Sequence, residues 1–173
     1  LTLSGNNTGN NVFAPLIPNL GSSVSNFVKN GTGNWTLTNP NSNYTGSTFI
    51  FGGVLSITSI GNIGANSSLG AGSGFAVTLS LNGGTLRYIG AADGSTNRLF
   101  TIGISNGVLD SSGTGNFSFS NTSNLALTAG GPHTLTLQGN NTGNNAFAPG
   151  IIDLSTSNRT FLTKTDRKST RLN

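Results

Sequence analysis

The chain of 173 residues contains no cysteine and no methionine, and only 7% of its residues are charged. It also has no glutamate. The absence of cysteine excludes disulfides, thiol catalysis and cysteine-ligated zinc sites. No run of about 18 apolar residues occurs, so no segment is predicted to span a membrane. Glycine accounts for 26 residues, and serine, threonine and asparagine are abundant throughout. This composition differs from that of soluble helical enzymes, which use glutamate, lysine and alanine heavily.

Charge is unevenly distributed as well as scarce. The formal net charge is +4, but three of the eight basic residues lie in the last eight positions, 166–173. This octapeptide, DRKSTRLN, resembles a translated sequencing adapter, because GATCGGAAGAGCACACGTCTGAAC encodes it codon for codon. We therefore interpret residues 166–173 as a non-native tail. Without the tail the chain is only weakly basic, so we predict no nucleic-acid partner.

Apolar residues recur at the spacing of β-strands. Disordered chains are poor in β-branched and aromatic residues, whereas phenylalanine, valine, isoleucine and leucine recur here between turn residues. Nowhere do apolar residues sit at i, i+3, i+4 and i+7 over ten residues, so no helix is predicted. The predicted strands are 25–29, 35–38, 47–51, 54–57, 75–81, 85–89, 98–104, 108–110, 117–119, 125–128 and 134–137.

An internal repeat organises the chain. LTLSGNNTGNNVFAPLI, residues 1–17, returns as LTLQGNNTGNNAFAPGI, residues 135–151, with changes at only three positions. Each copy begins with an alternating strand and continues into a glycine- and asparagine-rich corner. Near-identical units at a fixed offset predict a repeat protein, in which each unit buries its apolar face against the next unit.

Short, closely spaced strands are compatible with a sandwich, a barrel, a propeller or a solenoid. The repeat, the scarce charge and the polar corners favour the solenoid, because stacked rungs place like side chains above one another. We predict an all-β, right-handed parallel β-helix over residues 1–165, open at both ends. Because the chain opens inside a repeat unit, we expect it to be part of a longer array. The glycine-rich stretch 61–74 is predicted to be an ordered loop rather than a linker.

Residues 29–57, KNGTGNWTLTNPNSNYTGSTFIFGGVLSI, resemble the autotransporter-associated β-strand repeat, whose usual form is approximately KTGAGTLTLSGANTYTGGTTVNAGTL. Similar pieces lie at residues 80–88, 134–139 and 161–165. The resemblance implies a parallel β-helical passenger segment of a large bacterial protein that is secreted or held at the cell surface. It implies no catalytic residue, cofactor or metal. The matching positions are Lys29, Gly31, Gly33, Thr36, Leu37, Tyr44, Thr45, Gly46, Thr48, Gly53 and Leu55.

Candidate catalytic residues are few. Before the tail, the acidic residues are Asp93, Asp110 and Asp153, and His133 is the only histidine. Asp93 and Asp110 lie about one rung apart, as a carboxylate pair of a polysaccharide-active β-helix would, but we interpret them as solvated or corner-capping residues. We interpret His133 as a solvated turn residue. No metal site is predicted, since no second histidine is present.

The sequence predicts no phosphate-binding site at its glycine clusters. Residues 70–74 and 113–115 are glycine-rich, but neither stretch leads into a helix whose N-terminus could hold an anion. The pairs at 36/38 and 134/136 have the Thr-x-Thr form of ice-binding solenoids, yet their spacing is too irregular for a continuous plane.

Aromatic residues are the remaining candidates for ligand contact. Trp35, Tyr44 and Tyr88 could stack on a sugar if exposed, and otherwise pack between rungs. Arg87 and Arg98 would flank such a surface or solubilise it. The sequence therefore favours a non-enzymatic structural or adhesive segment. The alternatives are a carbohydrate- or matrix-binding module and, third, a β-helical polysaccharide-active enzyme. Neighbouring repeats, surface glycans or matrix are the expected partners.

The open ends of the predicted solenoid lead to a test in solution. Terminal rungs without a neighbour expose their strand edges, so we expect the isolated chain to fray or to associate end to end. Light scattering at increasing protein concentration measures this association. A monodisperse monomer at high concentration would contradict the expectation.

Overall fold

A computed structural model describes residues 1–74, 78–165 and 171–172. All regular secondary structure in these ranges is β-strand, and no helix there could cross a membrane. The interpretation of residues 166–173 as a tail falls almost entirely outside the described residues. The strands are β1 Thr2–Leu3, β2 Asn11–Phe13, β3 Phe27–Lys29, β4 Asn34–Leu37, β5 Thr48–Ile50, β6 Val54–Ile57, β7 Leu79–Leu81, β8 Thr85–Tyr88, β9 Gly94–Thr96, β10 Thr101–Ile102, β11 Gly107–Ser111, β12 Phe117–Phe119, β13 Ala126–Leu127, β14 His133–Gln138, β15 Ala146–Phe147, β16 Thr160–Lys164 and β17 Arg171–Leu172.

Three parallel sheets form the faces of a solenoid. The first face is β1-β3-β5-β7-β10-β13, the second is β2-β4-β6-β8-β11-β14-β16, and the third is β9-β12-β15-β17. Each strand inside a sheet pairs with the strands one turn before and one turn after it, and all these pairings are parallel, so the predicted parallel β-solenoid is confirmed. In the early turns, irregular segments replace strands on the third face, and Ala71 N there donates to Tyr44 O at 3.0 Å.

The turns of the solenoid differ in length. Thr36 pairs with Ser56, 20 positions later, whereas Ser56 pairs with Arg87, 31 positions later. The longer turn accommodates the stretch 61–74, which is folded back on itself by a hydrogen bond of 2.9 Å from Gly64 N to Ala71 O. The predicted ordered loop is confirmed.

Alternation along each strand sends every second side chain into the core. On the second face, one column of leucines runs through four consecutive rungs in register, and on the first face a column of aliphatic residues does the same. Full burial of each such side chain contributes about 1.5–3 kcal/mol. The leucine column is Leu55, Leu86, Leu109 and Leu137, and the aliphatic column includes Ile50, Leu81 and Ile102.

Within the described residues, two cations are buried in the interior. Lys29 is fully buried between Leu3 and Ile50 in the first-face column, and its ammonium donates at 3.0 Å to the carbonyls of Asn30, Gly31 and Gly52. Burial lowers the pKa of Lys29. The carbonyl oxygens take the place of a carboxylate partner, because an ammonium out of water needs acceptors for its protons.

Arg98 is the second buried cation, at 2% exposure. Its guanidinium donates to Gly70 O at 2.8 Å, Ala71 O at 2.7 Å and Gly61 O at 3.1 Å, so it holds both ends of the loop 61–74. Burial lowers the pKa of Arg98. The expectation that Arg98 flanks a surface was wrong. Its inward turn also shortens the predicted strand 98–104 to Thr101–Ile102.

The two copies of the internal repeat lie on different faces. Residues 1–17 form β1 on the first face and β2 on the second, whereas residues 135–151 lie within β14 on the second face and β15 on the third. The corner itself is the same in both: Gly9 N donates to Asn7 Oδ1 at 2.8 Å, and Gly143 N donates to Asn141 Oδ1 at 2.7 Å. The corner is therefore a local structure that serves either bend of the solenoid.

Backbone packs directly on backbone where the corners stack. A Cβ at Gly31 would lie 2.7 Å from Gly5 O of the rung below, and Gly31 also has a φ of 73°. Both conditions exclude a side chain at this position, since φ is positive and no space remains. Gly21 has a similar φ of 61°, but a Cβ there would meet nothing within 4 Å.

This difference gives a matched pair of variants. Gly21→Ala is expected to lower the free energy of unfolding by about 1 kcal/mol, the strain of a positive φ alone. Gly31→Ala is expected to lower it by about 3 kcal/mol or more, because the methyl group also displaces the Gly5 backbone. Urea denaturation measures both. Equal losses in the two variants would contradict direct stacking of backbone at this corner.

Candidate functional site

The outer side of the second face carries two columns of side chains in register. In one column, valines lie between the threonines, as the irregular Thr-x-Thr spacing predicts. The other column holds the charged residues. The first column is Asn34, Val54, Thr85, Val108, Thr136 and Thr163; the second is Thr36, Ser56, Arg87, Asp110 and Gln138.

Asp110 is the centre of a hydrogen-bonded group that we call the polar cluster, formed by Arg87, Asp110, Ser112 and Gln138. Arg87 Nε donates to Asp110 Oδ2 at 3.1 Å, and Gln138 Nε2 donates to the same oxygen at 2.9 Å. Ser112 Oγ donates to the other carboxylate oxygen. Three successive rungs therefore converge on one carboxylate, and the opposite charges of Arg87 and Asp110 cancel.

The polar cluster lies in a groove that is also lined by Ile89, Gly139, Asn140 and Thr165. The Arg87 side chain is 33% exposed and Ile89 is 38% exposed. Among the described residues, the Nη groups of Arg87 and the side-chain carbonyl of Gln138 have no protein partner. The groove thus offers planar donors, an acceptor and an apolar side chain, held in place by a buried carboxylate.

Asp93 and Asp110 were interpreted from the sequence as solvated or corner-capping residues. The structure agrees with this interpretation for Asp93 and contradicts it for Asp110. Asp93 is exposed and accepts from Asn116 N at 2.8 Å and from Asn116 Nδ2 at 3.0 Å, and these bonds lower the pKa of Asp93. It caps a corner, as predicted. Asp110 is neither solvated nor a corner cap, because only 3% of it is exposed. The two carboxylates belong to separate hydrogen-bond networks. Asp153 is exposed and accepts from Thr160 N at 2.7 Å.

The prediction for His133 was wrong. His133 is the first residue of β14 and is fully buried, and neither ring nitrogen has a hydrogen-bond partner in the described part of the chain. The alternation in HTLTL could have revealed this burial. Leu135 and Leu137 point inward, so the residue two positions before Leu135 also points inward. The preceding proline and glycines gave the residue the sequence context of a turn.

The glycine-rich stretches have structural partners. Gly70 O accepts from Arg98, and the carbonyls of Gly113 and Gly115 accept from Asn141 Nδ2 at 2.7 and 2.9 Å. These stretches form a loop and a corner of the solenoid. Over residues 1–74 and 78–165, no three histidine or carboxylate side chains come together as a metal site would require.

The aromatic candidates pack between rungs. Tyr44 is fully buried with its hydroxyl 2.8 Å from Thr48 Oγ1, and Tyr88 is 1% exposed and donates to Ala92 O at 2.6 Å. Trp35 is half-buried and donates from Nε1 to Ser4 O at 3.0 Å.

Sequence reasoning missed a stacked aromatic pair at the first face, in which one ring is half-buried and the other is exposed. The rings of Phe49 and Phe51 are parallel, with centroids 5.8 Å apart, and Phe51 is 46% exposed. The alternation in TFIF could have revealed the pair, since Thr48 and Ile50 point inward.

The solenoid and its stacked polar corners define the class of the protein. Residues 27–57 match the family described as Passenger-associated-transport-repeat, and this match together with the β-solenoid fold supports a fragment of an autotransporter passenger repeat. It is 44% identical over 170 residues, 96% of its length, to the "Adhesin BmaC autotransporter" of Brucella suis biovar 1 (strain 1330). The chain spans 5% of the length of that relative. No solved structure matches the chain.

The two comparisons also bear on where this segment is located. The repeat and the relative therefore place this segment at the cell surface or in the extracellular space, as the sequence resemblance implies.

The buried phenol of Tyr44 predicts a loss of stability in alkali. Burial raises the pKa of Tyr44 from 10.0 to about 12. The unfolded state thus releases this proton first, and stability falls as pH rises above 10; the loss reaches about 1.4 kcal/mol near pH 11. Tyr44→Phe removes this contribution, so the stability difference between the two proteins should shrink between about pH 9 and 11. Urea denaturation at each pH measures it. A constant difference would contradict the buried, protonated phenol.

Proposed function

We propose that this chain is a non-enzymatic structural and adhesive segment of a surface passenger. The observation that carries the proposal is the continuous parallel stacking of strands, six on the first face and seven on the second, around an apolar core. A solenoid of this kind extends by repeating one unit and presents the same polar flanks along its length. It is suited to hold surface side chains at fixed spacing away from the cell.

The state of the carboxylates supports a role without catalysis. General acid–base chemistry on a polysaccharide requires two carboxyl groups facing one bond. Asp110 accepts hydrogen bonds from three donors and forms an ion pair with Arg87, so both of its oxygens are engaged within the protein. Asp93 is tied to Asn116 in a different network.

The adhesive contact is assigned to the groove of the polar cluster. The relative is named an adhesin. The groove combines guanidinium donors that no described residue engages, an amide carbonyl and an exposed aliphatic side chain, and its Arg87–Asp110 pair has no net charge. Sugar hydroxyls need such planar donors and acceptors, and the apolar side of a sugar ring needs a patch such as Ile89. We therefore propose a neutral saccharide as the ligand class.

A binding assay on a panel of neutral glycans tests this function with variants that preserve the fold. Arg87→Lys retains the positive charge beside Asp110 but removes the planar Nη donors, so saccharide affinity should fall about tenfold. Thr136→Ala, on the same face in the neighbouring column, is the matched control and should leave affinity unchanged. Calorimetric unfolding of both variants confirms that stability is retained.

Two results would contradict the proposal. If no neutral glycan binds the chain, the adhesive contact is not in this groove. If soluble sugar is released from a polysaccharide in a manner that requires Asp110, the chain is an enzyme.

A further inference from the structure

Three Asn-Gly steps occur in the sequence, at 30–31, 82–83 and 106–107. In such a step, the glycine nitrogen can attack the side-chain amide of the preceding asparagine, because glycine has no side chain to obstruct the five-membered ring that forms. The rate in a folded protein depends on whether the nitrogen and the amide carbon can approach each other. The three steps differ in this respect.

At the first step, the reacting groups are already in contact. Gly31 N donates to Oδ1 of Asn30 at 2.8 Å, so the nitrogen already lies beside the amide group that it would attack. Asn30 is exposed, so hydroxide and water have access. The step lies at the start of the passenger repeat, at the corner between the first and second faces.

At the other two steps, the same groups are engaged elsewhere. Gly83 N donates to Asn106 O at 2.8 Å, and Asn82 Oδ1 accepts from Ser105 N at 3.0 Å. Asn106 Oδ1 accepts from Thr134 N at 2.7 Å. Ring closure at either site must first break hydrogen bonds that join successive rungs or close a turn.

Lys29 adds a charge at the reacting peptide. Its ammonium donates at 3.0 Å to Asn30 O, the carbonyl of the very peptide bond whose nitrogen attacks. When Gly31 N loses its proton, negative charge delocalises onto that oxygen, and a buried ammonium beside it stabilises the anion.

We propose that Asn30 is a site of spontaneous deamidation promoted by Lys29. Gly31 N gives its proton to hydroxide and forms a bond to the side-chain carbon of Asn30, and the C–N bond to the amide breaks as ammonia leaves with a proton from water. Water then opens the succinimide at either carbonyl, which gives aspartate or isoaspartate at position 30. No oxidant or reductant is required.

The isoaspartate product would disturb the repeat. It adds a methylene group to the main chain between Lys29 and Gly31, where a single Cβ at Gly31 would already lie 2.7 Å from Gly5 O. The reaction therefore converts a stacked corner into a weakened one and adds a negative charge beside the Lys29 ammonium. It acts as an age-dependent modification of the passenger repeat.

Peptide mapping by mass spectrometry tests the proposal on the full chain after incubation in mildly alkaline buffer. In the folded protein, Asn30 should deamidate at least about tenfold faster than Asn82 and Asn106. In concentrated urea the three rates should converge, because the native contacts are lost. Equal rates in the folded protein, or a slower rate at Asn30, would overturn the proposal.

Lys29→Met separates the two roles of Lys29. If the ammonium stabilises the reacting peptide, the folded-state rate at Asn30 falls about tenfold in this variant. If Lys29 only tightens the corner, its removal loosens the backbone and the rate rises, which would overturn the role of the lysine. Thermal unfolding of the variant establishes that the comparison is made on folded protein.

Discussion

Close parallel stacking of one rung on the next is the constraint on which the rest of this structure depends. Neighbouring strands lie about 4.8 Å apart, so every residue in a rung meets the residue in register above and below it. At the corners, this spacing brings backbone against backbone and requires glycine, as Gly31 over Gly5 shows. Within the faces, it produces columns of like side chains, such as the leucines of the second face.

The same constraint accounts for the scarcity of charge. A charge repeated in every rung would repel its neighbours, so ionic groups buried in the stack need partners that compensate them. Lys29 and Arg98 are compensated by backbone carbonyls, and Asp110 by Arg87 and Gln138 from the rungs on either side. The polar cluster and the reactive corner at Asn30 are therefore both products of stacking. The polar cluster draws its partners from more than one rung, and the corner at Asn30 is tightly folded and bonded to the next rung.

Local alternation and turn chemistry were sufficient to predict the absence of helices and most strand positions, and the internal repeat, the scarce charge and the polar corners were needed to favour the solenoid. They could not predict which face a strand occupies, since the same seventeen-residue repeat bends from the first face to the second in one copy and from the second to the third in the other. They also misplaced His133, Arg98 and Asp110, whose polar character suggested exposure. Apart from Ser112, the side-chain partners of Arg98 and Asp110 lie 23 to 37 positions away, and sequence proximity does not reveal them.

Cross-linking between rungs tests the stacking register most directly, because the chain has no cysteine of its own. Thr36 and Ser56 are register partners on the second face, so Thr36→Cys with Ser56→Cys should form a disulfide readily on mild oxidation. The pair Thr36→Cys with Thr58→Cys is offset by two residues and should oxidise far more slowly. Preferential cross-linking of the offset pair, or of neither, would contradict the parallel register from which the core, the corners and the polar cluster follow.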